Sequence, residues 1–558
     1  MQRLYRWKTC LLFLTTLILP AAAQESAPDS QPLSLAQQAR SAKAKAPASG
    51  SAPVEQPSQE RGVAEVAREL QGKNLAKVRV SPEEAQKILN SVPPTLRFAS
   101  EDSGLPIHAA VKPRMISRDD LVVTMQARKV DDEESKRLQA EELTMKKFGY
   151  LPRVFSTGKF VEGMYAEATE AFYDPRTKTI SLLNWVSPDS QLSVLAHELT
   201  HALQDQNFNL LTWQRGSNSK DPAPGQFQVN ADQALAESVG RHAVLEGQAM
   251  VVLIDYTFKQ QGIPARLEFL PGASSAMSQY LTMMPIPDTP VIHASPIALR
   301  DAMAFPYREG LVFELELLGS GGKELAFRKV FARPPLNTHE VLQPQAYLQR
   351  QGVRAPLIPD LSSALADKYV VIDSGGLGEL DVRSLVRQFD TSRLAESISR
   401  GWRGSSYLVV KRKEVPTEAA TTADVALIHV STWNSSLTAH KFAQFYADAV
   451  PKRYSKAAAV ASTCQGNDCP LESFQFNTEE GFVSIECRPN NLVLVTESFD
   501  PALANTLSAA VLKAGSRGQT AKATPDLSMR YAGSPVFADL RAMWEQWFVL
   551  QATQLSEK

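Results

Sequence analysis

One stretch of this 558-residue chain has side chains spaced for chemistry: His197-Glu198-Leu199-Thr200-His201, an HExxH pattern. On a helix, residues four apart share a face, so the two imidazoles can bind one metal ion. Glu198 points to a neighbouring part of that face. It can reach a metal-bound water without binding the metal, which is the position of a general base. Two histidines leave a catalytic metal short of its usual third protein ligand. Glu237, His242 and Glu246 are the downstream candidates. Glu246 is favoured, because it lies in the most apolar run, Ala243 to Ala249, where an unpaired carboxylate is costly. Its plain alternative is pairing with an arginine. His242, four residues earlier on the same face, is either a hydrogen-bonding neighbour or itself the ligand.

The local sequence supplies the helices this chemistry needs. Ser187 reads as an N-cap, Pro188 suits the first helical position, and Asp189 favours the positive end of the helix dipole. Leu192, Leu195, Leu199 and Leu203 form an apolar stripe at spacings of three and four. A second helix is expected over roughly Val229 to Lys259. Glu246 and Asp255 interrupt its apolar run, so it reads as buried in protein and not as a membrane span. Gly247 and Ala249 are small and are expected to let it approach the HExxH helix. Ahead of that helix, Glu167–Tyr173 and Lys178–Asn184 read as strands joined by the turn Asp174-Pro175-Arg176-Thr177. Such a hairpin edge can pair with an extended peptide beside the metal.

HELTH at 197–201 followed by LEGQA at 245–249 resembles the gluzincin group of zinc metallopeptidases. The hairpin FYDPRTKTISLL is similar to the sheet edge that precedes the metal helix in that group. Phe305 to Gly310 (FPYREG) resembles segments in uncharacterised bacterial proteins of this kind. The resemblance covers roughly Met164 to Tyr347. It implies a zincin-like α+β fold, one Zn2+ held by His197, His201 and Glu246, Glu198 as general base, and hydrolysis of a peptide or protein substrate. Two other functions stay open: a non-catalytic exported scaffold that keeps the helix pair, and a zinc hydrolase of small molecules. His293, Tyr307, Arg308 and His339 are downstream polar groups able to steady an oxyanion, with none singled out.

The rest of the chain sets the context. Lys plus Arg number 59 against 60 Asp plus Glu, a balance that points away from nucleic acid. The length suits two or more domains. Residues 24–62 are rich in Ala, Ser, Pro and Gln and read as a disordered linker. Residues 63–354 are expected to form the metallopeptidase domain. Within it, Val63–Val92 reads as two helical pieces, the second capped by Ser81 and Glu84, and a long helix should run from Ser117 to Gly149. Leu210–Gly225 and Leu267–Pro290 read as loops, and Leu311–Phe331 as helices broken at Gly319–Gly322. Residues 355–558 read as a C-terminal α+β domain with antiparallel strands near 369–373, 406–411, 426–431, 481–486 and 491–496, and helices near 438–450 and 502–514.

Arg3, Arg6 and Lys8, the apolar run Cys10–Leu19 and Ala21-Ala22-Ala23 form an export signal over residues 1–23. Cys464, Cys469 and Cys487 would remain after its removal, allowing one bridge and one free thiol. The expected product is a periplasmic or extracellular protein without a stable membrane span, beginning near Gln24. N-terminal sequencing of the purified protein that reads from Met1 would overturn this.

Overall fold

The computed structural model describes residues 80–117, 132–157, 160, 172–184, 188–215, 229–283, 294–461, 469–516 and 520–521. The expected signal, linker and first helical piece lie outside them. Among the described residues the chain is a mixed α+β protein, and no helix is long and apolar enough to cross a membrane.

Helix α1 spans Pro82–Ser103 and opens with the expected capping box, in which Ser81 and Glu84 bond each other's backbone N–H. It does not stop at Val92. It continues through Pro93 and Pro94 because Leu96, Phe98 and Ala99 are buried and Thr95 bonds Tyr256 at 3.2 Å, tertiary contacts that outweigh two lost backbone donors. Gly104, at φ 74°, ends it.

A small sheet follows in the order β1-β3-β2. Strands β2 (Phe172–Asp174) and β3 (Thr179–Leu183) form the expected antiparallel hairpin, with Lys178 left-handed at φ 57° in the turn. Residues 167–171 lie outside the described ones. Strand β1 (Lys112–Ile116) was not anticipated and pairs in parallel with β3. Helix α2 covers Asp132–Phe148 and ends at Gly149, φ 94°. Ser117 directly follows β1, and the first turns expected for this helix lie outside the described residues.

The long helices α3 (Pro188–Phe208), α4 (Val229–Gln260) and α6 (Ile297–Glu324) carry the site, and the shorter α5 (Ala273–Met283) packs on α6. Two expected loops are partly helical. Leu210–Arg215 forms a short helix, and α5 lies within the stretch read as loop, held by the buried side chains of Met277 and Leu281. Helix α6 starts well before Leu311, and its glycines produce a kink, with Gly322 at φ 61°.

Gly247 does not face α3 as the sequence suggested. A Cβ on Gly247 would lie 2.3 Å from the Gly310 carbonyl oxygen, and one on Gly310 would lie 2.4 Å from that of Ala243. The paired glycines bring α4 and α6 into backbone contact.

The C-terminal part is a seven-stranded antiparallel sheet in the order β4-β5-β6-β10-β9-β8-β7. Its strands are β4 (Tyr369–Gly375), β5 (Trp402–Arg412), β6 (Val425–Trp433), β7 (Ala457–Val460), β8 (Glu472–Thr478), β9 (Gly481–Arg488) and β10 (Leu492–Phe499). The sequence located five of these and missed β7 and β8. Side chains alternate between two cores. Val410, Ala426, Ile428 and Leu494 pack with Leu507 and Val511 of α9 (Pro501–Ser516). Val409, Leu427 and Val495 pack with Leu385 of α7 (Glu379–Phe389) and Phe442 of α8 (Ser436–Arg453), in a cluster continuous with Leu195 and Val244 of the helical part. Cys469 is in a disulfide, Cys487 is a buried free thiol, and Cys464 lies outside the described residues.

Glu314 on α6 is an unusual core residue. It is fully buried, and neither carboxyl oxygen bonds a described residue. Burial holds its carboxyl well above the ordinary range, so it folds as a neutral acid. The unfolded chain ionises at the ordinary value. The stability contributed by the neutral acid is complete below that value and is lost as pH rises toward the folded one. Glu314→Met preserves the shape without the charge. It is expected to be more stable than wild type by about 1–3 kcal/mol at pH 8, with the gap narrowing toward pH 4. Denaturant unfolding at both pH values checks this, and equal stability at pH 8 would refute it.

Candidate metal centre

Helix α3 begins at Pro188, as its sequence demands, while Ser187 lies outside the described residues. Leu195, Leu199 and Leu203 are fully buried and Leu192 half-buried, so the apolar stripe fixes the rotation of the helix. That rotation sends His197, Glu198 and His201 into the interior, where all three are buried.

Helix α4 crosses α3 and delivers Glu246 to the same point. His197 Nε2 and His201 Nε2 are 3.1 Å apart. Glu246 Oε2 lies 3.2 Å from the first and 3.4 Å from the second. Among the described residues, this buried trio is the one group of His, Cys, Asp or Glu placed to hold a metal ion.

The protonation pattern suits that task. Gln204 Nε2 donates to the Leu245 carbonyl at 3.0 Å and to Gln248 Oε1 at 2.8 Å, so its Oε1 is the acceptor facing His201 Nδ1 at 2.8 Å. His201 therefore carries its proton on Nδ1 and presents the Nε2 lone pair to the cluster. Burial lowers the His197 pKa, against the pull of Glu246, and keeps that ring neutral. Burial alone would raise the Glu246 carboxyl. The positive charge of a proton shared with the surrounding imidazoles, His201 foremost, outweighs it and holds Glu246 well below the ordinary range. A divalent metal would displace that proton and bind two neutral imidazoles and one carboxylate.

His242 proves a neighbour, with Nε2 3.8 Å from Glu246 Oε1. Among the described residues Glu246 pairs with histidines and not with an arginine. The Glu237 side chain lies outside the described ones. Glu198 sits beside the trio, and its Oε2 accepts the Tyr173 backbone N–H at 2.8 Å. Burial pushes its carboxyl up to about 7, with His201 opposing and the Glu246 carboxylate reinforcing the rise.

Of the four oxyanion candidates, Tyr307 is at the site: its buried ring lies 6.5 Å from the His197 ring, nearly parallel at 28°. Arg308 instead donates to the Leu281 carbonyl at 2.7 Å. His339 pairs with Glu379 at 2.6 Å and packs on Trp402. His293 lies outside the described residues.

Sequence reasoning missed Gln204, Gln248, Tyr173 and Asp205. Gln204 follows His201 by three positions and so shares its face, a signal that was present. Tyr173 acts through its backbone, which has no side-chain signature. A cavity of about 570 Å³ opens next to the site, lined by Val111, Tyr173, Lys178, Asp205 and Phe208 among others.

Comparison with protein-family models, curated proteins and solved structures finds no match to this chain. The fold and site thus define an α+β protein with a buried centre of two histidines and one carboxylate that could hold a metal.

Glu246→Gln keeps the side chain's size but replaces the anionic donor with a poorer amide oxygen. It is expected to lower bound metal at least about tenfold in titration, whereas His242→Ala retains it. Metal analysis after dialysis checks both. Loss in the His242 variant alone would reverse the assignment.

Proposed function

We propose that the protein is an exported zinc metallopeptidase of the gluzincin kind, with a zincin-like arrangement over the helices and hairpin around α3. The observation that carries this reading is the convergence of His197, His201 and Glu246 with Glu198 beside them. Tetrahedral ligands 2.0–2.1 Å from zinc lie about 3.3 Å from one another, and the three donor separations here are 3.1, 3.2 and 3.4 Å.

His197 and His201 would bind through Nε2, and Glu246 through Oε2. When bound, zinc supplies Lewis acidity, acidifying a coordinated water and polarising the scissile carbonyl. The chain supplies the proton handling. Glu198 Oε2 is occupied by the Tyr173 N–H, so Oε1 is the oxygen left to accept a proton and return it to the leaving amine. A carboxyl raised by burial to about 7 is poised between those two roles near neutral pH. Gln204 keeps the His201 tautomer fixed while this happens. An extended peptide running along β2 would use edge groups other than the Tyr173 N–H.

The test separates metal binding from chemistry. His197→Ala and His201→Ala should lose both metal and peptide cleavage. Glu198→Gln should keep near-normal metal and fold but lose cleavage by at least about a hundredfold. Turnover equal to wild type at equal zinc content would sink the mechanism. Zinc-loaded wild type that cleaves nothing in a mixed peptide library would favour a small-molecule hydrolase or a scaffold instead.

A further inference from the structure

We propose that Tyr173 and Asp205 form a strut that positions Glu198. The strut starts on α3 itself. Asp205 lies two helical turns after Glu198 and is buried. Its Oδ2 accepts the Tyr173 hydroxyl at 2.7 Å and pairs with Lys178, while its Oδ1 accepts the Leu210 N–H at 3.1 Å. Both carboxylate oxygens are therefore engaged, and Asp205 is anchored to the start of the short helix Leu210–Arg215 that follows α3. Tyr173 spans the gap. Its hydroxyl is fixed at Asp205, and its backbone N–H reaches back to Glu198 Oε2 at 2.8 Å.

The geometry of β2 makes this arrangement consequential. β2 is the edge strand of its sheet and only three residues long, with Tyr173 in its middle opposite Ile180. A short edge strand is held by few ladder bonds and is free to shift. A shift of a fraction of an ångström would swing the N–H away from Glu198 and let the carboxylate rotate. Burial and the Asp205 carboxylate hold the phenol well above its ordinary pKa, so it remains a donor. Lys178, in the hairpin turn, ties the other end of the hairpin to the same Asp205 oxygen. One buried carboxylate thus fixes the hairpin at two points, and the hairpin fixes the base. Tyr173 and Asp205 are positioning residues, since they act through Glu198.

The kinetic consequence rests on the metallopeptidase reading, but the strut itself does not. Two measurements on the full-length, metal-loaded protein keep them apart. The first is hydrogen exchange at the Tyr173 amide. Glu198→Ala removes the acceptor and sets the upper limit. Tyr173→Phe and Asp205→Ala should each accelerate that amide at least about tenfold while leaving the amides of Val194–Leu203 unchanged. The second is steady-state peptide hydrolysis. Tyr173→Phe should lower kcat about tenfold with KM and zinc content unchanged, and adding Asp205→Ala should cost little more because both remove one contact. In a Glu198→Gln background, Tyr173→Phe should leave the residual rate unchanged. A merely structural tie would not produce that last result.

Unaltered exchange at Tyr173 in both strut variants would overturn the proposal. So would an undiminished effect of Tyr173→Phe in the Glu198→Gln background. If Asp205→Ala fails to fold, Tyr173→Phe, which deletes one hydroxyl, carries the test alone. If wild type cleaves no peptide, the functional reading fails by itself and the exchange experiment still decides the strut.

Discussion

Two imidazole nitrogens and a carboxylate oxygen meet within 3.4 Å in a buried site. Unless a proton or an ion lies between them such lone pairs repel, and all three groups have given up their hydration, so a rigid frame is needed to keep them converged. Much of the helical architecture can be derived from that requirement. α3 must be rotated by its leucine stripe, and α4 must cross it at Glu246. The crossing is locked from two sides. Gln204 and Gln248 bond across α3 and α4, and Gln248 continues to the Ala326 carbonyl beyond α6 at 2.6 Å. On the opposite side Gly247 and Gly310 allow backbone contact that any Cβ would prevent. The residue after Glu246 is thus a glycine for α6.

The helix that carries the two histidines, and Glu246 as the third member of the trio, are legible because their signals are local or energetic. Histidines four apart need only the 3.6-residue period, and a carboxylate in an apolar run is conspicuous by its burial penalty. Glu246 was found for that second reason. Gly247 was noticed and given the wrong partner, because sequence shows that a helix has a small spot but not which neighbour fills it. α1 was ended too early at two prolines, since the buried contacts of Leu96 and Phe98 that sustain it come from distant segments. β1 escaped for the same reason: a parallel partner such as β3 lies far along the chain. The strands of the large sheet were found where alternation is strong and missed at β7, where the sequence AAAV offers no contrast between faces.

The large sheet is joined to the helical part by more than apolar contact. Lys147 of α2 is fully buried and donates to Glu480 at 2.8 Å, Ser498 at 2.7 Å and the Thr422 carbonyl at 3.0 Å, all on the sheet side. Arg453 of α8 returns the contact, bonding the Lys147 and Phe148 carbonyls while pairing with buried Glu497 at 2.7 Å. Burial by itself lowers the Lys147 pKa, and the neighbouring carboxylates counter it. A buried ammonium stripped of these partners is costly. Parting α2 from the sheet would break all three of its bonds at once, so the two halves resist sliding even though their joint is partly polar.

The hairpin edge beside α3 is only three residues long. A long free edge would bind an extended chain strongly and indiscriminately. Here the central N–H of β2 is already committed to Glu198, and the side chain of the same residue is committed to Asp205. Whatever pairs with this edge does so on a strand whose position is set from within the protein. Edge geometry and the orientation of the Glu198 carboxylate are therefore one variable, because a single residue, Tyr173, belongs to both. A displaced edge would disturb the carboxylate, and a displaced carboxylate would leave a backbone donor unsatisfied. That mutual dependence gives a three-residue strand a hold on a buried carboxylate beside the trio out of proportion to its length.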